Sequence, residues 1–148
     1  MDLIDQLESD LGEAMKLRDE VRTTTLRLLK SALKNYQIEL GHDLTMQEAL
    51  SVLQKEAKKH QDSIKQYEEA NREDLANEEK AELGVIEKYL PEQMNREDVE
   101  KTVDLAIAEL NASGPSDMGK VIGLVRQKTE GKADGSMIAE IAKQKLAG

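Results

Sequence analysis

The chain has 148 residues, 34% of them charged, with a formal net charge of −9, no cysteine and three tyrosines as its only aromatic side chains. Disulfides, thiol chemistry and cysteine-based metal sites are excluded, and Leu, Ile, Val, Ala and Met must fill the interior. No apolar run approaches the ~20 residues of a membrane-spanning helix, and no basic-then-apolar signal segment opens the chain, so a cytoplasmic protein without a membrane partner is expected.

Two prolines and the density of Lys and Glu favour helices over sheet. Asp2 is placed to cap a first helix in which Leu3, Leu7, Leu11 and Ala14 recur at helical spacing. The pattern re-phases around Arg18–Asp19, and a second helix carries Leu26, Leu29, Leu33, Tyr36 and Leu40 on one side. Arg27, Lys30 and Lys34 project from the other side as a basic stripe about two turns long. Gly41 ends this helix. Thr45-Met46-Gln47-Glu48 is a capping-box pattern, and the long helix it opens spaces Leu53, Ala57, His60, Ile64 and Tyr67 four, three, four and three apart, as in a coiled-coil seam.

Asn71 interrupts that seam, and a partner helix follows with Leu75, Leu83, Ile86 and Leu90, so the pair should form an antiparallel hairpin. With the turn near Asn71, His60 lies opposite the stretch Glu79 to Leu83, which makes Glu79 and Glu82 its reachable carboxylates. A packed histidine with one polar partner is expected there in preference to a ligand or catalytic role, its pKa raised by the carboxylate charge.

Pro91 stops this helix, and Pro91 to Met94 reads as a linker. Asn95 caps a fifth helix bearing Val99, Val103, Ala106 and Leu110. After the loop Asn111–Ser116, with Ser116 as the expected cap, comes a helix with Met118, Val121, Ile122 and Val125 on one face. A final helix, capped by Asp134, presents Ile138, Ile141, Ala142 and Leu146. Gly131 is placed to end the sixth helix in a left-handed conformation, with Gly135 closing the same turn. Gly119 and Gly123 lie inside that helix, where each costs about 1 kcal/mol against alanine, so tight helix packing or the approach of a ligand or partner backbone is expected at both. The expected fold is all-α: an N-terminal four-helix unit with a long antiparallel hairpin at 1–91 and a small three-helix tail domain at 95–148.

The tail residues Met118-Gly119-Lys120-Val121, Gly131-Lys132-Ala133-Asp134-Gly135, Ile138 and Ile141 through Lys143 closely resemble the tail of the YqeY family. That tail is shared with the GatB subunit of the glutamine-dependent aspartyl/glutamyl-tRNA amidotransferase. Arg72-Glu73-Asp74-Leu75, Glu79-Lys80-Ala81-Glu82-Leu83 and Tyr89-Leu90-Pro91 extend the resemblance upstream, outside the amidotransferase tail, and favour the free-standing YqeY type. The resemblance implies a tail that binds the body of tRNA and does no chemistry, because amidotransfer resides in the glutaminase subunit and in the catalytic body of GatB. Lys120, Arg126, Lys128 and Lys132 are the positions on which that role falls, with Arg27, Lys30 and Lys34 as a second basic region.

The residues themselves nominate no active site. There is no phosphate-binding GxxxxGK[ST] loop, no dinucleotide fingerprint, no HExxH, and no flanking pattern that marks a serine as nucleophile. Two histidines without cysteine do not build a closed zinc site from the usual ligands, so neither metal nor cofactor is expected. Three readings remain open: a non-catalytic module that touches tRNA or a tRNA-related assembly, a protein-interaction accessory with no nucleic-acid role, and a component supporting a glutamine-dependent carbon–nitrogen ligase. The net charge opposes the first, since it repels nucleic acid, while the two basic regions and the resemblance favour it.

Overall fold

A computed structural model describes residues 2–147. These residues are all-helical: α1 (Leu3–Lys16), α2 (Glu20–Leu40), α3 (Met46–Glu69), α4 (Glu73–Glu87), α5 (Arg96–Leu110), α6 (Met118–Thr129) and α7 (Gly135–Ala147), with a short 3-10 turn at Pro115–Asp117. The chain divides into two compact units, Met1–Leu90 and Pro91–Gly148.

In the first unit, the starts of α1, α2 and α3 are fixed by side-chain oxygens that satisfy otherwise orphaned amides. Asp2 accepts from the Asp5 N–H at 2.8 Å and Asp19 from the Arg22 N–H at 3.1 Å. At α3 the capping box is complete, with Glu48 N–H donating to Thr45 Oγ1 at 3.1 Å and Thr45 N–H to Glu48 Oε1 at 3.0 Å. The ends of α2 and α3 are set by left-handed residues. Gly41 takes φ 77° after α2. Asn71 takes φ 58° after α3, and there the Arg72 N–H reaches back to the Tyr67 carbonyl at 2.8 Å. That six-to-one bond is the Schellman closure, and asparagine tolerates its left-handed position. The three residues between α3 and α4 therefore turn the chain through a hairpin.

The core of this unit is aliphatic. Leu7, Leu26, Leu29, Leu33, Leu53 and Ile86 are fully buried, with Leu3, Ala14, Ala49, Ala57 and Val85 around them. Helix α2 packs against the other three helices of the unit, and α3 lies along α4. The α4 face departs from the leucine stripe read in the sequence. Ala76, Val85 and Ile86 are its buried residues, whereas Leu75 and Leu83 are only partly covered. At the far end of the unit the Tyr89 hydroxyl donates to Asp10 Oδ2 at 2.6 Å. Burial, and then the Asp10 carboxylate, push the Tyr89 phenol well above its usual range. Tyr89→Phe is expected to cost about 1.5–3 kcal/mol, the range for a hydrogen bond to a charged group, and toward its lower end because both side chains are half-buried. Urea unfolding with an unchanged m-value would measure this; a cost indistinguishable from zero would show that water replaces the bond.

In the second unit α5, α6 and α7 pack on one another around Val99, Val103, Ala106, Val121, Val125, Ile138, Ile141 and Ala142. Asn95 caps α5 through the Asp98 N–H at 2.8 Å. Two sequence expectations are corrected here. Leu110 stays 39% exposed, because Asn111 turns left-handed directly after it and ends the helix before that face is covered. Ser116 does not cap α6 but sits inside the 3-10 turn, while Asp117 uses its carboxylate to accept from the Ser113 N–H at 3.0 Å. Residues 91–95 have no regular structure. Within this segment the Met94 N–H donates to the Lys132 carbonyl at 2.7 Å, and Gln93 Nε2 donates to the Gly131 carbonyl at 3.1 Å. The segment after Pro91 is thus tied to the α6–α7 turn.

Candidate functional site

Two groups of side chains have chemistry that packing alone does not require: the basic residues of α2 and of the tail, and a histidine set between two carboxylates in the α3–α4 hairpin.

On α2, Arg27, Lys30 and Lys34 do share a face, but that face is turned toward acid. Glu8 of α1 pairs with Lys30 at 3.3 Å and with Lys34 at 3.4 Å. The Lys30 hydrogen bond, then its charge, and then Lys34 hold the Glu8 carboxyl below its ordinary value. Arg27 makes one weak contact, from Nη2 to Met15 Sδ at 3.9 Å. Two of the three cations therefore already face a counter-charge. Nothing in the sequence reveals this pairing, because it depends on how α1 and α2 register against each other.

The tail basics are all exposed. At 100° per residue, Lys120 and Lys128 fall about 80° apart on α6, and Arg126 lies about 160° from Lys128, so the three do not form one stripe. Lys128 pairs with Glu109 of α5 at 2.9 Å. Arg126 lies over the start of α7, where a Cβ added to Gly135 would meet its Nη2 at 2.9 Å. Lys120 and Lys132 have no ion pair among the described residues. Lys132 lies in the turn after α6, where Glu130 (φ 48°) and Gly131 (φ 82°) are both left-handed. Asp134 starts α7, its Oδ1 accepting from the Ser136 N–H at 3.0 Å.

The glycines divide. Gly135 is a place of close approach, where an added Cβ would meet the movable end of the Arg126 side chain. Gly119 and Gly123 are not: a Cβ added at either would meet no atom within 4 Å, and both are exposed. The expected tight packing within the chain is corrected at these two positions, because the face of α6 that they occupy is covered by no other helix of its unit.

The second group centres on His60, which is 5% exposed on the α3 seam. Its Nδ1 lies 2.9 Å from the Glu56 carbonyl one turn earlier. A carbonyl only accepts, so Nδ1 carries the hydrogen. Its Nε2 faces α4, 3.0 Å from Glu82 Oε2 and 3.6 Å from Glu79 Oε2. Glu79 and Glu82 are three apart on one helix and so lie side by side. Burial pushes the His60 pKa down, but the Glu56 carbonyl, the Glu82 hydrogen bond and the charges of Glu79 and Glu82 outweigh it, and the net direction is up from 6.5. The 4-3-4-3 seam and the turn at Asn71 make these partners legible from the sequence. Glu56 is also buried, its carboxylate 3.4 Å from Lys59. The imidazole nitrogen and the two carboxylates form the one set of three metal-ligating groups close enough to share an ion among the described residues. The open-sided combination of one histidine and two carboxylates, brought together across two helices, matches neither a closed four-ligand pattern nor HExxH.

An all-helical chain with a histidine-bearing hairpin and a glycine-turn tail defines an architecture, and comparison with known proteins gives it a family. The family model described as "Yqey-like protein" matches residues 4–146. Among curated relatives, "Altered inheritance of mitochondria protein 41, mitochondrial" of Lachancea thermotolerans is 31% identical, over 97% of this chain and 81% of the relative. The proteins of the same name from Kluyveromyces lactis and Pyrenophora tritici-repentis are 34% and 28% identical, over 87% and 88% of this chain and 72% and 73% of their own lengths.

The chain belongs to the YqeY-like family. The cytoplasmic expectation is corrected, because these relatives are named as mitochondrial proteins. That expectation rested on the lack of a secretory signal and of a membrane span, and neither feature bears on whether a protein resides in mitochondria. Among the described residues, no helix is long and apolar enough to cross a membrane.

Proposed function

We propose that this chain is a non-catalytic accessory protein that contacts tRNA, or an assembly carrying it, through the basic residues of its tail. The observation that supports this reading is the contrast between the two basic regions. Lys30 and Lys34 face Glu8, whereas Lys120 and Lys132 are exposed without an acidic partner. Phosphate contacts need accessible cations and no base-specific geometry, and scattered cations around a helix and its turn suffice to position a backbone. The net charge of −9 limits such binding to modest affinity at low salt. The names of the relatives favour a mitochondrial setting. The link to glutamine-dependent amidotransfer belongs to the same proposal, with the chain in a supporting role.

Retention of cellular RNA on the purified protein at low and high salt, with sequencing of what elutes, tests the proposal. Enrichment of tRNA that salt removes is expected. Reversing Lys120 and Lys132 to Glu should weaken binding and flatten its salt dependence, by a slope of about 1 for each lost phosphate contact. Reversing Lys30 and Lys34 should change it less. Equal losses from both pairs would shift the interface to α2, and no enrichment at low salt would reject a nucleic-acid role.

The protein-interaction reading has its own support in the open face around Gly119 and Gly123, where a second helix can approach the backbone closely. A complex that survives salt and contains no RNA would favour it.

A further inference from the structure

We propose that His60, Glu79 and Glu82 form a binding site for a divalent transition-metal cation, with zinc(II) as the chemistry that fits the donor set. With Nδ1 committed to the Glu56 carbonyl, the neutral imidazole directs a bare Nε2 lone pair at two carboxylate oxygens 3.0 and 3.6 Å away. Three acceptors then converge with no donor among them, and a cation must sit at their centre: either a proton on Nε2 or a metal ion. Donation of the second ring N–H to a backbone carbonyl is the arrangement that orients a metal-bound histidine and raises its basicity.

The spacing suits a metal. Zinc bonds to His nitrogen and carboxylate oxygen are about 2.0–2.1 Å, which places tetrahedral ligands roughly 3.3 Å apart. The two measured separations straddle that value, and all three donor atoms lie within 4.8 Å of one another. The site is also braced on both sides: His60 is held by the α3 seam, and the two glutamates occupy adjacent turns of α4. Glu79 and Glu82 keep 25% and 30% of their side-chain surface exposed, which leaves an entry path and a fourth position for water. An imidazole nitrogen among three ligands selects against calcium and magnesium, which take oxygen ligands in larger numbers. This site is separate from the basic tail, and the proposal does not depend on RNA binding.

Chelator-treated full-length protein titrated with zinc(II), read by calorimetry in two buffers of different ionisation enthalpy, tests the site. One equivalent is expected to bind with proton release, since the metal displaces the proton from Nε2. His60→Gln and Glu82→Gln should each weaken binding by 10-fold or more, while His42→Gln, which removes the exposed pair with Glu48 at 3.7 Å, should leave it unchanged. NMR of the wild-type imidazoles provides a readout that does not depend on any variant folding, and zinc should shift the His60 ring resonances and not those of His42. Equal affinity of wild type and His60→Gln, zinc shifts confined to His42, or displacement of zinc by equimolar magnesium would each overturn the proposal.

Discussion

Replacing Ile141 with alanine is expected to destabilise the tail unit by about 2–5 kcal/mol, the range for truncating a fully enclosed aliphatic side chain. Ile141 is 1% exposed and sits among Val99, Val103, Val121, Val125 and Ile138, a cluster built from small aliphatics with no aromatic ring. Fewer than sixty residues make up this unit, and domains of that size bury a modest fraction of their surface and are marginal on their own. Total stabilities of 5–15 kcal/mol leave little after such a loss. Hydrogen exchange should therefore show protection collapsing across α5, α6 and α7 while the amides of Leu26, Leu29, Leu33 and Leu53 in the first unit stay protected. Leu105→Ala is the control: Leu105 is 63% exposed on α5, and its truncation should fall within about 0.5 kcal/mol of wild type. A loss under 1 kcal/mol at Ile141 would mean that the surrounding helices collapse into the space, and that this core is less closely packed than its burial implies.

The features that could be read from the sequence are those set by local chemistry. Asp2, Thr45 with Glu48, and Asn95 cap helices because their side chains reach amides three residues on, which requires no tertiary information. The seam of α3 was equally visible, since Leu53, Ala57, His60 and Ile64 keep a strict alternation and all four are buried. What could not be read was set by how helices register against each other. Glu8 reaches both Lys30 and Lys34 only because α1 lies along α2 at one particular offset. The α4 face is legible in part: Ile86 is fully buried and Leu83 and Leu90 pack against the core, but the burial of Ala76 and Val85 is not foreseen. Its buried residues, Ala76, Val85 and Ile86, do not lie on a single stripe, and Leu75 and Leu83 are only partly covered. At α6, two interior glycines suggested packing, yet no helix of the unit covers them. For the candidate site, the hairpin turn fixed which carboxylates His60 meets, but the commitment of Nδ1 to the Glu56 carbonyl, which gives the cluster its cation-seeking character, appears only in the folded helix.

Loss of stability with rising pH is the expected signature of His60 in metal-free protein. The net direction of its pKa is upward from 6.5: burial opposes the charged form, while the Glu56 carbonyl and then Glu82 and Glu79 favour it more strongly. The folded state therefore holds the imidazolium proton more tightly than the unfolded chain does. Stability from this source is fully present below the unfolded pKa and disappears as pH climbs through the raised folded pKa. Above that pKa the neutral ring leaves its lone pair against two carboxylates, at 3.0 and 3.6 Å, and the hairpin loses the charge that linked α3 to α4. Glu79 and Glu82 are the acidic groups that face Nε2, and Lys59 is occupied with the Glu56 carboxylate at 3.4 Å rather than with the histidine. Urea unfolding in the presence of a chelator, repeated from about pH 6 to about pH 9, should show wild type losing stability across that window. His60→Gln removes the titrating group but keeps an amide able to donate to a carboxylate. It should be less stable than wild type at the acidic end and converge with it at the alkaline end. His42 is present in both proteins, so its contribution cancels in the comparison. Parallel pH profiles for the two proteins would show that His60 does not change charge on folding, and a wild type that gains stability as pH rises would show that burial outweighs the glutamates.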